Sequence, residues 1–351
     1  MKWKWSGPLK GGITQSMLGK FLQDPYCFVL YYGLGLEEPQ PLSQNLMWGN
    51  MFHKALEHVL PIPSQIENFT ETEKQQLFNI LQDEERKYPH INATTLYSVM
   101  EMLELYPDEY KRNYAITTEM EFKVEHNTGN HQVSLKGKID GVGTLYPNPF
   151  PEVIPSEPEH ILIEHKSKES FDRQLFRSEI SLDLQLNQYL YALNRTTSCN
   201  TVVYDNVRIP ELQWNCPARQ AGERHKAYIS RLYHKPGSYG DYPVKPKHFV
   251  WVDQYIFIHP MSQVELFLKE TLNPIIDSLC FMYEYTLSDS FDPTNPDCYN
   301  YMFHKRPLRL FDPARTSKFK KDYWSHLTGA IPLEGLTPVN QLFKELSDDN
   351  Q

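Results

Sequence analysis

The chain has 351 residues, 40% of them apolar, with a formal net charge of -9 at pH 7, enough to bury a sizeable core as one large domain or two modest ones. The acidic balance excludes a protein that coats nucleic acid non-specifically, because phosphate binding needs clustered lysine and arginine. It leaves room for an enzyme that needs only local basic strips. Five cysteines, Cys27, Cys199, Cys216, Cys280 and Cys298, are widely spaced with no Cys-x-x-Cys pair, so a cytoplasmic protein without a disulfide framework is expected. The N-terminus lacks an apolar signal core and the longest apolar stretch, Cys27 to Leu36, is too short to span a bilayer, so no membrane partner is expected.

Helical signals fill the first third. The pattern predicts helices over Ile13 to Tyr32, over Ser43 to Leu60 behind a serine cap, from a capping pair at Thr70 and Glu73, and over Thr94 to Tyr110. Strand signals follow at Ile116 to Val124, Gln132 to Leu145 and His160 to Lys166, then a helix over Glu179 to Leu193 and a strand over Thr201 to Arg208. That order packs as an α/β fold, a mixed sheet flanked by helices. A long tail helix over Ser262 to Tyr285 and an irregular Pro-rich C-terminal extension complete the chain. The expected divisions are a helical part over 1–112, a core over 113–260 and a C-terminal helix and extension over 261–351.

Two basic strips stand out. Seven Lys/Arg, among them Arg224, Lys226 and Arg231, fall between Pro217 and Val250 with interleaved aromatics, and seven more between His304 and Lys321. The first mix suits a strand backbone and stacked bases, although either strip also reads as an ordinary solvated surface.

The chemistry concentrates at Ile161-Leu162-Ile163-Glu164-His165-Lys166. Side chains two apart on a strand share a face, so Glu164 and Lys166 project together while His165 points away. Upstream, Gly137-Lys138-Ile139-Asp140-Gly141 puts a carboxylate inside a strand, an expensive place to leave one unpaired, and a following glycine permits close backbone approach. On the second helix Gly49, His53 and Glu57 lie on one face. Gln185 and Tyr189 sit one turn apart on the helix after the Glu-x-Lys strand and offer an amide and a phenol. Each element alone is also an ordinary structural feature: a surface ion pair, a turn aspartate, a packed histidine, a half-exposed helix face.

Together, and in this order, Gly-x-x-x-His, Gly-x-x-Asp-Gly, Glu-x-Lys and Gln-x-x-x-Tyr resemble the motif series of the RecB-like branch of the PD-(D/E)XK nucleases, including its phage-encoded and CRISPR-associated exonucleases. The resemblance runs over about residues 13 to 300 and includes the strand Tyr204-Asp205-Asn206-Val207-Arg208. It implies a restriction-endonuclease-like core. It also implies one divalent cation, Mg2+ or Mn2+, held by His53, Asp140, Glu164 and the main-chain carbonyl of His165. Lys166 would orient the attacking water or the scissile phosphate, with Gln185 and Tyr189 steadying the strand. DNA, single-stranded or with free ends, is the implied substrate, and exonuclease action the implied activity. A structure-specific endonuclease and a catalytically idle DNA-binding subunit are the alternatives, and no protein partner is indicated. The family often carries four cluster cysteines. Here only Cys27 and Cys298 occupy such places, so an iron–sulfur cluster is not expected.

Overall fold

The structure, a computed structural model, describes residues 3–37, 43–88, 93–104, 106–145, 159–168, 180–209, 252–292, 298 and 337–338. The chain divides into two compact units, one of Met1–Pro41, Phe122–Gly137 and Glu265–Gln351, the other of Leu42–Glu121 and Lys138–Val264.

In the first unit, α1 (Gly7–Lys10) precedes α2 (Gln15–Gln23), whose Thr14 cap accepts the Met17 N–H at 3.2 Å. The single helix expected over Ile13 to Tyr32 is broken at Asp24, which is extended because a residue before proline is steered out of the helical region. The chain resumes as α3 (Pro25–Phe28) and a π-helical turn (Val29–Leu34) that stops on left-handed Gly35, φ 68°. Strand β1 (Leu36–Glu37) pairs antiparallel with β7 (Thr337–Pro338). The rings of Trp3, Trp5, Phe28 and Tyr283 meet edge-on or tilted, and the Trp3 indole donates to Thr286 at 2.7 Å. The expected tail helix is also interrupted. It runs as α8 (Met261–Phe267), a π turn (Leu268–Leu272) and α9 (Asn273–Leu287), with Pro274, which has no N–H to donate, at the junction.

In the second unit, α4 (Gln44–Val59) starts on Ser43, whose hydroxyl accepts the Leu46 N–H at 3.1 Å. Helix α5 (Glu71–Glu85) starts on a reciprocal capping box between Thr70 and Glu73. Helix α6 (Ala93–Glu104) ends earlier than the pattern predicts; Pro107 intervenes and only a 3-10 turn, Glu109–Arg112, follows.

The sheet has the order β2-β3-β4-β5-β6, with β2 Tyr114–Asn127, β3 Gln132–Leu145, β4 His160–Lys168, β5 Cys199–Arg208 and β6 Val252–Ile258. It is mixed: β3 with β4 and β5 with β6 are antiparallel, whereas β4 with β5 is parallel. Helix α7 (Leu184–Leu193) lies in the connection that parallel pair requires, and it is shorter at its start than the sequence pattern predicts, because Asp183 caps it. The edge strand β6 is not anticipated from the sequence, where the basic strip just before it draws attention to charge rather than alternation.

Period-two alternation decides what each face of the sheet meets. Ile161 and Ile163 of β4 with Val203 and Val207 of β5 join the core made by Phe52, Leu56, Leu77, Leu81, Val99 and Leu103 of α4, α5 and α6. Each fully buried large apolar side chain there is worth roughly 1.5–3 kcal/mol. Residues Leu162, Glu164 and Lys166 therefore turn to the opposite face, where α7 lies. The glycines of β3 make the first arrangement possible. A Cβ on Gly143 would sit 2.4 Å from Ile161 Cγ1, and one on Gly141 3.2 Å from Ile163 Cβ.

Candidate active site

Asp140 follows Ile139 on β3, one position before the first paired residue, Gly141, which faces Ile163. Its carboxylate reaches across to β4, where Oδ2 accepts the main-chain N–H of His165 at 2.9 Å. His53 comes from α4, with Nδ1 3.8 Å from the same Oδ2. What brings α4 so close is Gly49, one turn earlier: a Cβ there would lie 2.6 Å from the Ser167 hydroxyl at the end of β4. The space opened by this glycine is thus taken by a neighbouring strand.

Glu164 is 1% exposed. One carboxylate oxygen, Oε1, accepts from the Lys166 ammonium, and the other, Oε2, is buried with no hydrogen-bond partner among the described residues. Lys166 donates in turn to Gln185 Oε1 at 2.7 Å, and the Gln185 amide donates to the Tyr189 hydroxyl at 2.9 Å. An ammonium, an amide and a phenol therefore form one chain from β4 to α7. Asp183, whose Oδ1 accepts the Leu186 N–H at 2.7 Å as the helix cap, adds a negative charge beside them.

The electrostatics follow from burial. Desolvation lifts the Glu164 carboxyl to about 8, helped by Asp140 and opposed by Lys166. Desolvation also lowers His53 to about 4, with Asp140 opposing and His165 and Lys166 assisting. The imidazole is therefore neutral near pH 7, the form that can ligate a metal. Burial alone would lower Lys166, but Glu164, Asp140 and Asp183 more than offset it and raise the group. Lys166 is accordingly an ammonium, a donor and not a base.

The donor set suits a hard divalent cation: a neutral imidazole and two carboxylates, one of which has a buried oxygen without a hydrogen-bond partner among the described residues. Among the described residues no three carboxylates, imidazoles or thiols are gathered at ligating distance; Asp140 Oδ2 accepts the His165 N–H and Glu164 Oε1 accepts from Lys166. The chemistry of these residues fits a hard divalent cation.

His165 turns its ring to the helical side of the sheet, as the alternation predicts. There Nδ1 lies 3.0 Å from Asp205 of β5. Asp205, Tyr106 and Gln254 are the polar groups around the site that motif reasoning missed. The signal was available for one of them: Asp205 is a carboxylate inside the apolar run Thr201-Val202-Val203-Tyr204-Asp205, the same anomaly that singles out Asp140. Arg224, Lys226 and Arg231 lie outside the described residues, as do Cys216 and the second basic strip. Of the other cysteines, Cys280 is buried on α9, which pushes its thiol up to about 12, and the Cys298 sulfur accepts the Asp292 N–H at 3.4 Å.

The fold is a mixed five-stranded sheet flanked by helices, with Asp140 within one strand and Glu164 and Lys166 on its neighbour. The sequence profile of the PD-(D/E)XK nuclease superfamily matches residues 13–234, and the chain belongs to that superfamily. Its members are generally nucleases that use Mg2+ or a similar divalent ion. No curated protein matches the sequence. Among solved structures, the crystal structure of SSO0001 aligns over 85% of this chain and 97% of its own at 14% identity, with a TM-score of 0.27, too loose a likeness to carry an argument. Among the described residues no helix is long and apolar enough to cross a membrane.

Proposed function

We propose that this chain is a divalent-metal-dependent deoxyribonuclease of the RecB-like branch, an exonuclease that prefers single-stranded ends. The observation that carries the reading is the Glu164–Lys166 pair on one strand face, with a buried carboxylate oxygen left unpartnered beside Asp140 and His53. His53, Asp140, Glu164 and the His165 carbonyl would hold Mg2+ or Mn2+. When bound, the ion supplies charge for the phosphodiester and a lowered pKa for its water.

The chain's own groups do the rest. Lys166 has three N–H donors, two of which go to Glu164 and Gln185. The third would orient the attacking water or a phosphate oxygen. Gln185 fixes the ammonium by accepting from it, and its amide in turn fixes the Tyr189 phenol. Gln185 and Tyr189 would steady the substrate strand, and Arg224, Lys226 and Arg231 would bind its phosphates.

The preference for single-stranded ends rests on the motif series alone, and an experiment separates it from its alternatives. End-labelled single-stranded DNA should be degraded progressively with Mg2+ or Mn2+, while circular single-stranded DNA stays intact. Cleavage of the circle would make this a structure-specific endonuclease. No cleavage of either would leave a DNA-binding subunit.

A further inference from the structure

Behind the Glu164–Lys166 face lies a second polar group, in which the motif series gives no role to the side chains of His165, Asp205, Tyr106 or Tyr110. His165 is 2% exposed, Asp205 0%, and Tyr106 and Tyr110 5% each, all inside the apolar core between the sheet and the helices. Their protons can be counted. Tyr110 donates to the Tyr106 oxygen at 2.8 Å, and Tyr106 spends its single proton on Asp205 Oδ2. The same Oδ2 lies 3.0 Å from His165 Nδ1, and Gln254 donates to Oδ1 at 2.7 Å while also capping the Pro107 carbonyl at 3.0 Å. A carboxylate has no proton to give, so His165 must carry one on Nδ1 to face it. His165 and Asp205 are also register partners in the parallel β4–β5 ladder.

His165 is what this cluster holds, and His165 touches the active site twice. Its main-chain N–H clamps the Asp140 carboxylate at 2.9 Å. Its ring packs edge-on against the ring of His53, with centroids 6.1 Å apart and planes at 74°. Resting on the metal-nuclease reading above, we infer that Asp205 and Tyr106 are positioning residues for the metal site. By fixing the tautomer and rotamer of His165 from the far side of the sheet, they set where the Asp140 carboxylate and the His53 imidazole stand.

The test measures Mn2+ affinity by calorimetric titration of the full chain, with thermal unfolding alongside. Asp205→Asn replaces an acceptor with a donor toward either His165 or Gln254, and Tyr106→Phe removes one hydroxyl while keeping the ring. Leu81→Ala, in the same apolar core, serves as a control that lowers stability without a polar route to the site. The expected result is Mn2+ binding weakened by about 10–100-fold in Asp205→Asn, as for other groups that orient metal ligands, by a smaller step in Tyr106→Phe, and not at all in Leu81→Ala. Should Asp205→Asn fail to fold, Tyr106→Phe decides. Parent-like Mn2+ affinity in the folded variants, or an equal loss in Leu81→Ala, would reduce the cluster to core packing and leave the nuclease reading standing. Failure of the parent chain itself to bind Mn2+ would remove the metal site and this inference with it.

Discussion

Glu164 and Asp205 sit on adjacent strands, are almost equally buried, and face opposite sides of one sheet. Asp205 has both oxygens engaged, by Gln254 on one and by Tyr106 and His165 on the other. Glu164 has Lys166 on one oxygen and, among the described residues, no hydrogen-bond partner on the other. A carboxylate buried to hold a fold is satisfied completely, because an unpaired lone pair in a dry interior costs free energy. On the proposed metal-nuclease reading, the Glu164 oxygen that has no partner among the described residues is the one a cation would take up. The contrast separates the working face of the sheet from the supporting face more clearly than burial does.

The largest expected effect tests the supporting side. Asp205→Ala strands the donors of His165, Tyr106 and Gln254 in the core and should lower stability by about 3–5 kcal/mol in urea unfolding. A loss no greater than that of an exposed substitution would break the contrast.

The working side should behave in the opposite way. The Glu164 carboxyl stands at about 8 against an ordinary 4.5, so between those values the folded chain holds a proton that the unfolded chain has released. Stability falls as pH rises through that window and is flat above it. Glu164→Gln cannot release that proton, so in the presence of a chelator it should gain on the parent between pH 4.5 and 8. Parallel stability–pH curves for the two proteins would mean that Glu164 is not held protonated by burial.

The smallest effect sharpens the same point through the metal. Binding a cation at Glu164 must expel that proton, so Mn2+ affinity should climb by about tenfold per pH unit below 8 and level off above it. His53, already neutral above about 4, adds nothing in that range. A pH-independent affinity between 6 and 8 would place the ion away from Glu164.

The working face is the part most legible in the sequence. Glu164, Lys166, Asp140, Gln185 and Tyr189 are spaced by the periods of their own strands and helix, so local arithmetic is enough to bring the pairs together. The capping residues Ser43 and Thr70 are legible for the same reason. Breaks within helices are harder: Asp24 and Pro107 end elements whose apolar period runs on, because a backbone constraint outweighs a continuous pattern. Least legible is the supporting cluster. His165, Asp205 and Gln254 come from three strands and meet through the register of β4 on β5 and of β5 on β6, while Tyr106 comes from the segment after α6, an arrangement that no local period encodes.

The most direct test of the central claim is cleavage of end-labelled single-stranded DNA with Mg2+ and Mn2+, comparing the parent chain with Asp140→Ala, Glu164→Ala and Lys166→Ala, each checked for an intact fold by circular dichroism. The parent should be active only with metal, and each variant should lose roughly 10²–10³-fold or more, since each deletes a group that acts on developing charge rather than on packing. Near-parent activity in any folded member of the three, or cleavage by the parent in excess chelator, would contradict the assignment of this strand face as a metal-dependent active site.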